Sequence, residues 1–225
     1  MKILGIETSS VIFSLCLNED GKTIREFSKR REVDGHGDAE IFKEARKMLE
    51  LAGADNIGAI AVSIGPGMFT SLRVGLSLAK GIAFVNKTPV YAVNTLDTIG
   101  LEVSRPDLRV AAVVNAFRGE VYAAFYEGGK RVSDYLLMMP DSLMKMAGER
   151  AVIVGPGVDV IAGVRPGHSR IELRGDETYL PSAVKVVLTA LERIRRRDFD
   201  DIEFLEPYYI KKTDAERNYA KGNAL

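Results

Sequence analysis

The second half of the sequence repeats features of the first half at a constant separation of 108 residues. Glu7, at the end of one apolar run, corresponds to Asn115, and Gly21 in a later turn corresponds to Gly129. The apolar positions between them also correspond: Phe13, Leu15 and Leu17 match Val121, Ala123 and Phe125. A strand, a turn and a second strand that keep one offset indicate an internal duplication. The chain is therefore predicted to fold as two similar units.

Each unit contains alternating apolar runs followed by segments with helical periodicity. In the first unit we expect strands over residues 2–7, 11–17, 23–27, 59–64 and 89–93, and helices over 38–52, 69–85 and 97–103. In the second unit we expect strands over 109–115, 119–126, 132–138 and 151–154, and a closing helix over 181–196. The predicted fold class is α/β, with two duplicated β-β-β-α-β-α subdomains and mixed sheets. The predicted boundary divides the chain into residues 1–104 and 105–225.

The helix predicted over residues 69–85 is apolar on most sides, which indicates burial. We expect Thr70 or Ser71 to cap its first turn. Small residues occupy every fourth position and form a flat ridge that another backbone can approach closely: Ser71, Gly75, Ala79 and Ala83. We interpret this helix as a packing surface for a partner.

A Gly-Pro-Gly turn at residues 65–67 precedes this helix, and a second one occurs at 155–157. Free N–H groups after glycines at a helix N-terminus can hold a phosphate. The same residues also suit a tight strand-to-helix turn that needs no ligand. Because no G-x-x-x-x-G-K-[ST] pattern is present, the residues themselves favour the tight turn.

The charge balance and the cysteine content narrow the class of function. Lysine plus arginine equals aspartate plus glutamate at 31 each, so no net field attracts nucleic acid or a membrane. The basic run of Arg193 and residues 195–197 is either a solvated helix end or a tRNA contact. The lone cysteine, Cys16, excludes a disulfide framework and fits a reducing cytosol. Since no apolar run approaches about 18 residues, we expect a cytoplasmic protein without a membrane segment.

Four segments carry a resemblance to a known family. They are residues 3–10 (Ile-Leu-Gly-Ile-Glu-Thr-Ser-Ser), 64–76 (Ile-Gly-Pro-Gly-Met-Phe-Thr-Ser-Leu-Arg-Val-Gly-Leu), 115–122 (Asn-Ala-Phe-Arg-Gly-Glu-Val-Tyr) and 206–210 (Glu-Pro-Tyr-Tyr-Ile). Over nearly its whole length the chain resembles the TsaB (YeaZ-like) family of tRNA threonylcarbamoyladenosine biosynthesis proteins. That family belongs to the actin-like/sugar-kinase/heat-shock ATPase superfamily, so the resemblance implies an actin-like ATPase (ribonuclease H-like) fold.

The resemblance also implies a role without a catalytic site. Family members of this size are scaffolds of the complex that transfers threonylcarbamoyl to the adenosine beside the tRNA anticodon. The implied partners are a larger TsaD-like paralogue, a TsaE-like ATPase and a second copy when the chain is alone, with tRNA reached only through the complex. The docking surface is expected on the helices at 38–52 and 69–85. The contact residues are expected to be Ile41, Ala45, Met48, Ser71, Leu72, Gly75, Ala79 and Ala83.

Two enzyme classes are the alternatives, a weak ATP-binding transferase and a metallopeptidase-like enzyme. The catalytic paralogue carries a pair of metal-binding histidines where this chain has Thr95 and Ile99, and the whole sequence has only His36 and His168. We therefore expect no metal site.

A nucleotide site would use Glu7, Thr8, Ser9, Gly65 and Gly67. The superfamily places an aspartate near Mg²⁺ where this chain has Glu7, and the second copy has an uncharged Asn115. We therefore expect no cofactor in this chain, with ATP and Mg²⁺ used only through partners.

Two features stay open at the level of the sequence. Arg118, Glu120 and Tyr122 either contact the subdomain junction or a partner, or belong to an alternating strand with Arg118 and Glu120 facing solvent. The tail from residue 205 begins as an extended segment, and its order beyond Asp214 is not determined by the sequence.

Overall fold

Two mixed β-sheets with the same strand order form the framework of the protein. The computed structural model describes residues 1–31, 38–103, 105–164 and 170–211. The strands are β1 (Lys2–Glu7), β2 (Ile12–Glu19), β3 (Lys22–Arg30), β4 (Ile57–Gly65), β5 (Val90–Asn94), β6 (Arg109–Asn115), β7 (Val121–Glu127), β8 (Lys130–Arg131), β9 (Leu136–Met138), β10 (Arg150–Val154) and β11 (Arg170–Arg174). The first sheet has the order β3-β2-β1-β4-β5, and the second has the order β8-β7-β6-β10-β11, with β9 paired to β7.

Six α-helices occur within the described residues. They are α1 (Asp38–Ala52), α2 (Phe69–Asn86), α3 (Thr95–Val103), α4 (Pro140–Ala147), α5 (Val158–Ile161) and α6 (Ala183–Arg196). The first unit therefore reads β-β-β-α-β-α-β-α, and the second unit repeats this order with its third strand split in two. The predicted α/β class with two duplicated units is confirmed. The expected formula β-β-β-α-β-α lacks the last strand and helix of each unit, although those of the first unit were expected individually at 89–93 and 97–103.

The helices and sheets form five layers. Helices α1 and α2 cover one face of the first sheet, and α6 covers its other face. Helix α3 covers one face of the second sheet, and α4 and α5 cover the other. In the central layer α3 packs against α6, and Lys185 in α6 forms a 2.8 Å ion pair with Glu102 in α3. The division at residues 104 and 105 stays a prediction, and α3 and α6 each pack on the sheet of the other segment.

Three local predictions are wrong. Of the strand predicted over 132–138 only Leu136–Met138 forms, as β9, and β8 lies before the predicted range, at Lys130–Arg131. Between them the Ser133 hydroxyl accepts the hydrogen bond from the Phe125 amide, at 2.9 Å, and interrupts the ladder. The strand predicted from residue 119 begins at Val121, since residues 117–119 have positive φ and form a turn. Neither Thr70 nor Ser71 caps α2, because the helix begins at Phe69, with Met68 as an N-cap that makes no side-chain bond.

Two further observations concern the expectations of a chain without a membrane segment and of a cysteine in a reducing environment. No helix in the described ranges is long and apolar enough to cross a bilayer. Cys16 is buried on the face of the first sheet that α6 covers. Burial raises the pKa of its thiol to about 11, so the thiol stays protonated and unreactive at neutral pH.

Candidate functional site

A cleft of about 380 Å³ lies where the carboxyl ends of the two sheets meet. Parallel strands β1 and β4 end on one side of the cleft, and β6 and β10 end on the other. The first unit lines the cleft with residues that include Ser9, Ser10, Arg30 and Gly67, and the second with residues that include Asn115, Gly155, Asp159, Asp176 and Glu177. This is the position at which open α/β sheets bind ligands. The cleft is therefore the natural candidate for a small-molecule site.

The charge of this cleft is unfavourable for a phosphate chain. Three carboxylates, Asp159, Asp176 and Glu177, line it, together with one cation, Arg30. Arg30 is already engaged, because its Nη2 lies 2.8 Å from Glu177 Oε1. The excess negative charge repels phosphate oxygens.

Backbone amides directly after the first Gly-Pro-Gly turn and within the second donate hydrogen bonds inside the chain. After the first turn, the Met68 amide donates to the Ser9 carbonyl at 2.8 Å. A Cβ atom on Gly67 would lie 2.3 Å from that same carbonyl, so only glycine allows the two loops to approach this closely. In the second turn the Gly155 and Gly157 amides donate to strand carbonyls at 3.0 and 3.1 Å. This geometry matches a tight turn that needs no ligand.

Of the five predicted nucleotide-binding residues, only Ser9 and Gly67 line the cleft. Glu7 is fully buried, its Oε1 accepts the Ser9 amide at 2.5 Å, and its Oε2 has no partner among the described residues. Burial raises the pKa of this carboxyl group above its usual value of 4.5. Thr8 is also fully buried, and Gly65 lies under Leu72 and the Tyr208 carbonyl. Glu7 and Thr8 therefore do not line the cleft, and their assignment to a nucleotide site stays a prediction.

The eight residues predicted to contact a partner are all buried inside this chain, so their assignment to an interface is wrong. They are Ile41, Ala45, Met48, Ser71, Leu72, Gly75, Ala79 and Ala83. The small-residue ridge of α2 faces the first sheet instead. A Cβ atom on Gly75 would lie 2.2 Å from the Thr8 hydroxyl oxygen. The ridge does permit a close backbone approach, but the approaching element belongs to the same chain.

The outer faces of α1 and α2 carry exposed apolar side chains that the sequence pattern did not single out. We call this set the outer apolar band: Phe42 (46% exposed), Leu51 (55%), Phe69 (42%), Phe84 (66%) and Val85 (77%). Gly81 lies on the exposed side of α2, with open space where a Cβ atom would be. These residues lie on two helices that cover the same face of the first sheet, and exposed apolar side chains there are available to a partner. The sequence did contain an indication of the exposed apolar residues on α2. This helix has apolar residues on most sides, more than are required to cover the sheet with its inner face.

A C-terminal strap, residues 205–211, runs along both units. The Tyr208 amide donates to the Ile64 carbonyl at 2.7 Å in the first unit. The Tyr208 ring packs edge-on against Tyr135 of the second unit, with 5.4 Å between ring centroids. At its end, Lys211 Nζ lies 2.6 Å from Glu120 Oε2 and 3.2 Å from the Ala116 carbonyl oxygen. The strap therefore bridges the two units.

The strap gives Glu120 a structural role, which the sequence had left open. Arg118 lies in the exposed turn before β7, and Tyr122 packs at the edge of the core between the second sheet and α3. The alternative in which Arg118 and Glu120 face solvent from a strand is wrong, because both residues precede β7.

The positions equivalent to the paralogue's metal ligands are occupied by packing residues. Thr95 and Ile99 are fully buried at the start of α3. Near them the Asp97 carboxylate accepts hydrogen bonds from Tyr126, at 2.8 Å, and Tyr135, at 2.6 Å. Across the described ranges no three His, Cys, Asp or Glu side chains are grouped so that they could hold a metal ion. His36, His168 and Asp214 lie outside the described residues.

Comparison with known proteins identifies the family. Residues 39–163 match the family model of TsaD, tRNA N6-adenosine threonylcarbamoyltransferase. Over 228 residues the chain is 28% identical to the tRNA threonylcarbamoyladenosine biosynthesis protein TsaB of Escherichia coli (strain K12), covering 96% of each chain. The chain belongs to the TsaB/YeaZ family. The TsaB/YeaZ chain also superposes on the solved YeaZ of Pseudomonas aeruginosa with a TM-score of 0.75, at 24% identity, covering 93% of this chain and 99% of the other.

The likeness to the longer transferases is partial. This TsaB/YeaZ chain is 29% identical over 225 residues to the tRNA N6-adenosine threonylcarbamoyltransferase of Geobacter sulfurreducens, covering 82% of this chain and 65% of that protein. Together the two relationships confirm the resemblance drawn from the sequence, including the TsaD-type, actin-like (ribonuclease H-like) fold.

Proposed function

We propose that this chain is a non-catalytic subunit of the machinery that makes threonylcarbamoyladenosine in tRNA, and that it binds and supports a TsaD-type transferase. The observation that carries the proposal is the outer apolar band on α1 and α2 in a chain of the TsaB/YeaZ family. Burying several large apolar side chains against a partner provides the main driving force for a protein contact.

The cleft supports a scaffold role over a catalytic one. Its carboxylates outnumber its cations, and the amides of Met68, Gly155 and Gly157 donate within the chain. The Glu7 carboxylate is fully buried and is not part of the cleft lining. A subunit with this arrangement contributes shape and surface to a complex, and the partners supply ATP, Mg²⁺ and the reacting groups.

The proposal specifies an assembly. The TsaD-type paralogue occupies the outer apolar band, and a second copy of this chain occupies it when the paralogue is absent. A TsaE-like ATPase joins the complex, and tRNA is contacted only in the complex, because this chain has no net charge. The reaction that it supports takes place in the cytoplasm.

The test is a binding measurement with a steric variant. Gly81→Leu places a large side chain in open space on the outer face of α2, so the fold is retained while a docked partner is displaced. Calorimetry with the TsaD-type protein of the same organism should show binding by the wild type and at least about tenfold weaker binding by the variant. Light scattering should show loss of the homodimer in the same variant.

The matched control is Gly163→Leu, which lies just after α5 in the second unit and also has open space at its Cβ position. It should bind as the wild type does. Unchanged binding by Gly81→Leu, or failure of the wild type to bind the TsaD-type protein at all, would contradict the proposed function.

An ATP-dependent transferase is the second candidate, and the position of the cleft at the sheet edges favours it. Titration of the purified chain with ATP and Mg²⁺ distinguishes the two proposals. The scaffold proposal expects no heat of binding. Binding that is weakened by substitution of a cleft residue, such as Ser9→Leu, would favour the transferase.

A further inference from the structure

A second depression, of about 390 Å³, lies between α2 and the C-terminal strap. Arg73, Ser77 and Lys80 line it from α2, and Glu206, Pro207 and Tyr209 line it from the strap. Leu76 and Leu205 complete it, and both belong to the core of the first unit. We call this depression the strap pocket. It is separate from the cleft at the sheet edges, with which it shares no lining residue.

The Arg73 side chain is held in one orientation by two aromatic residues. Its guanidinium lies 3.9 Å from the centroid of the Phe69 ring, and its Nε donates to the Tyr209 hydroxyl at 3.1 Å. The Phe69 and Tyr209 rings stack with 5.0 Å between centroids. A guanidinium fixed in this way presents its two Nη groups as a planar fork, the geometry that matches a carboxylate.

The positive charge in the strap pocket is not neutralised within the described part of the chain. Neither Arg73 nor Lys80 forms an ion pair with a described carboxylate, whereas five other arginine and lysine side chains of the first unit do. Glu206 lines the same pocket without direct contact to either cation. Two cations and one carboxylate leave an excess of one positive charge.

We infer that the strap pocket receives an acidic side chain, aspartate or glutamate, of the partner polypeptide. This inference rests on the proposed function, because the pocket adjoins the outer apolar band through Phe69. It adds a specificity contact to that docking face: the bound carboxylate lies between the Arg73 fork and the Lys80 ammonium. The strap is then part of the docking surface, because Tyr209 orients Arg73.

The surroundings favour a carboxylate on a protein over a phosphate on RNA. Glu206 repels a polyanionic backbone more strongly than a single carboxylate, and the whole chain has no net charge. The half-exposed Phe69 ring, which stacks on Tyr209 beside the pocket, fits a protein surface.

The experiment measures binding of the wild type and of charge variants to the TsaD-type protein of the same organism, at several salt concentrations. Arg73→Glu and Lys80→Glu should each weaken binding by at least about tenfold and flatten its salt dependence. Arg73→Lys should recover only part of the affinity, because an ammonium cannot form the planar fork. Lys145→Glu, which makes the same charge change on α4, is the matched control and should bind like the wild type.

The outcomes separate this inference from the proposed function. If the wild type binds, Gly81→Leu does not, and both charge reversals bind normally, the docking face stands and the acidic contact is overturned. If the wild type does not bind the TsaD-type protein, both proposals fail together. If the isolated chain binds tRNA and loses that binding in Arg73→Glu, the pocket is a phosphate site and the inference is overturned.

Discussion

At the scale of single residues, the buried Glu7 carboxyl group is the clearest source of pH dependence. Burial raises its pKa, so the folded state holds the proton more tightly than the unfolded state does. Stability should therefore fall as pH rises from about 4.5 through the raised pKa of the folded state, and then level off. Glu7→Gln should remove this slope and raise the midpoint of thermal unfolding at pH 7. Melting curves from pH 4 to pH 8 provide the measurement, and an unchanged slope would contradict the assignment.

Glu44 provides the opposite case and serves as the control. Its Oε1 lies 2.5 Å from Lys47 Nζ and its Oε2 lies 3.1 Å from Arg25 Nη2. The hydrogen bond from Lys47 lowers the pKa of Glu44, with a further contribution from Arg25. The stability it provides is present above about 4.5 and is lost as pH falls through the lowered pKa. Glu44→Gln should therefore lower the unfolding midpoint at pH 7 and have little effect under acid conditions.

Two glycines of α2 test which face of that helix is internal. Gly75→Ala brings a Cβ atom to 2.2 Å from the Thr8 hydroxyl oxygen, and such overpacking costs roughly 1–3 kcal/mol. Gly81→Ala meets no atom and should stabilise the helix by about 1 kcal/mol. Urea unfolding of both variants gives the two free-energy changes. Equal effects would contradict the observed orientation of α2.

At the scale of elements, the periodicity of apolar residues predicted which face of a helix is buried, but it did not predict which element packs against that face. In α1 the pattern placed Ile41, Ala45 and Met48 on one face, and that face is indeed buried. The pattern in α2 likewise located the ridge at Gly75 and its neighbours. A stripe of small residues on a helix indicates only that some other backbone can approach that helix closely. Which backbone this is depends on tertiary packing, which the spacing of residues along one helix does not contain.

The C-terminal strap was predictable only as an extended segment, because its contacts are with residues distant in sequence. Its ion pair between Lys211 and Glu120 is half-buried, so a measurable coupling is expected. Glu120→Gln, Lys211→Met and the double variant form a double-mutant cycle, in which the coupling should be about 1 kcal/mol. A coupling near zero from urea unfolding would show that the pair does not hold the strap.

At the scale of the whole molecule, the fixed offset of 108 residues predicted two sheets of the same topology, and both have the same strand order. It did not predict that α3 and α6 would each cover the other unit's sheet. A sequence repeat predicts the order of elements within one copy. Which sheet a helix covers depends also on contacts between the two copies, and the repeat contains no information about these contacts. The composition of the cleft could not be predicted from the repeat either. Its three carboxylates, Asp159, Asp176 and Glu177, come from segments outside those that match at the 108-residue offset.

The exchanged helices make the two segments depend on each other for folding. Residues 1–104 without α6 would expose an apolar sheet face that includes Ile3, Ala59, Ala61, Tyr91 and Val93. Residues 105–225 without α3 would likewise expose Val110, Ala112 and Val114. Either segment expressed alone should therefore lack a cooperative melting transition, whereas co-expression should restore it. The intact chain should unfold in one transition, with calorimetric and van't Hoff enthalpies that agree. Among the described helices only α6 covers the face of the first sheet that contains Ile3 and Tyr91. Independent folding of residues 1–104, or two separate transitions in the intact chain, would therefore contradict the mutual dependence of the two segments.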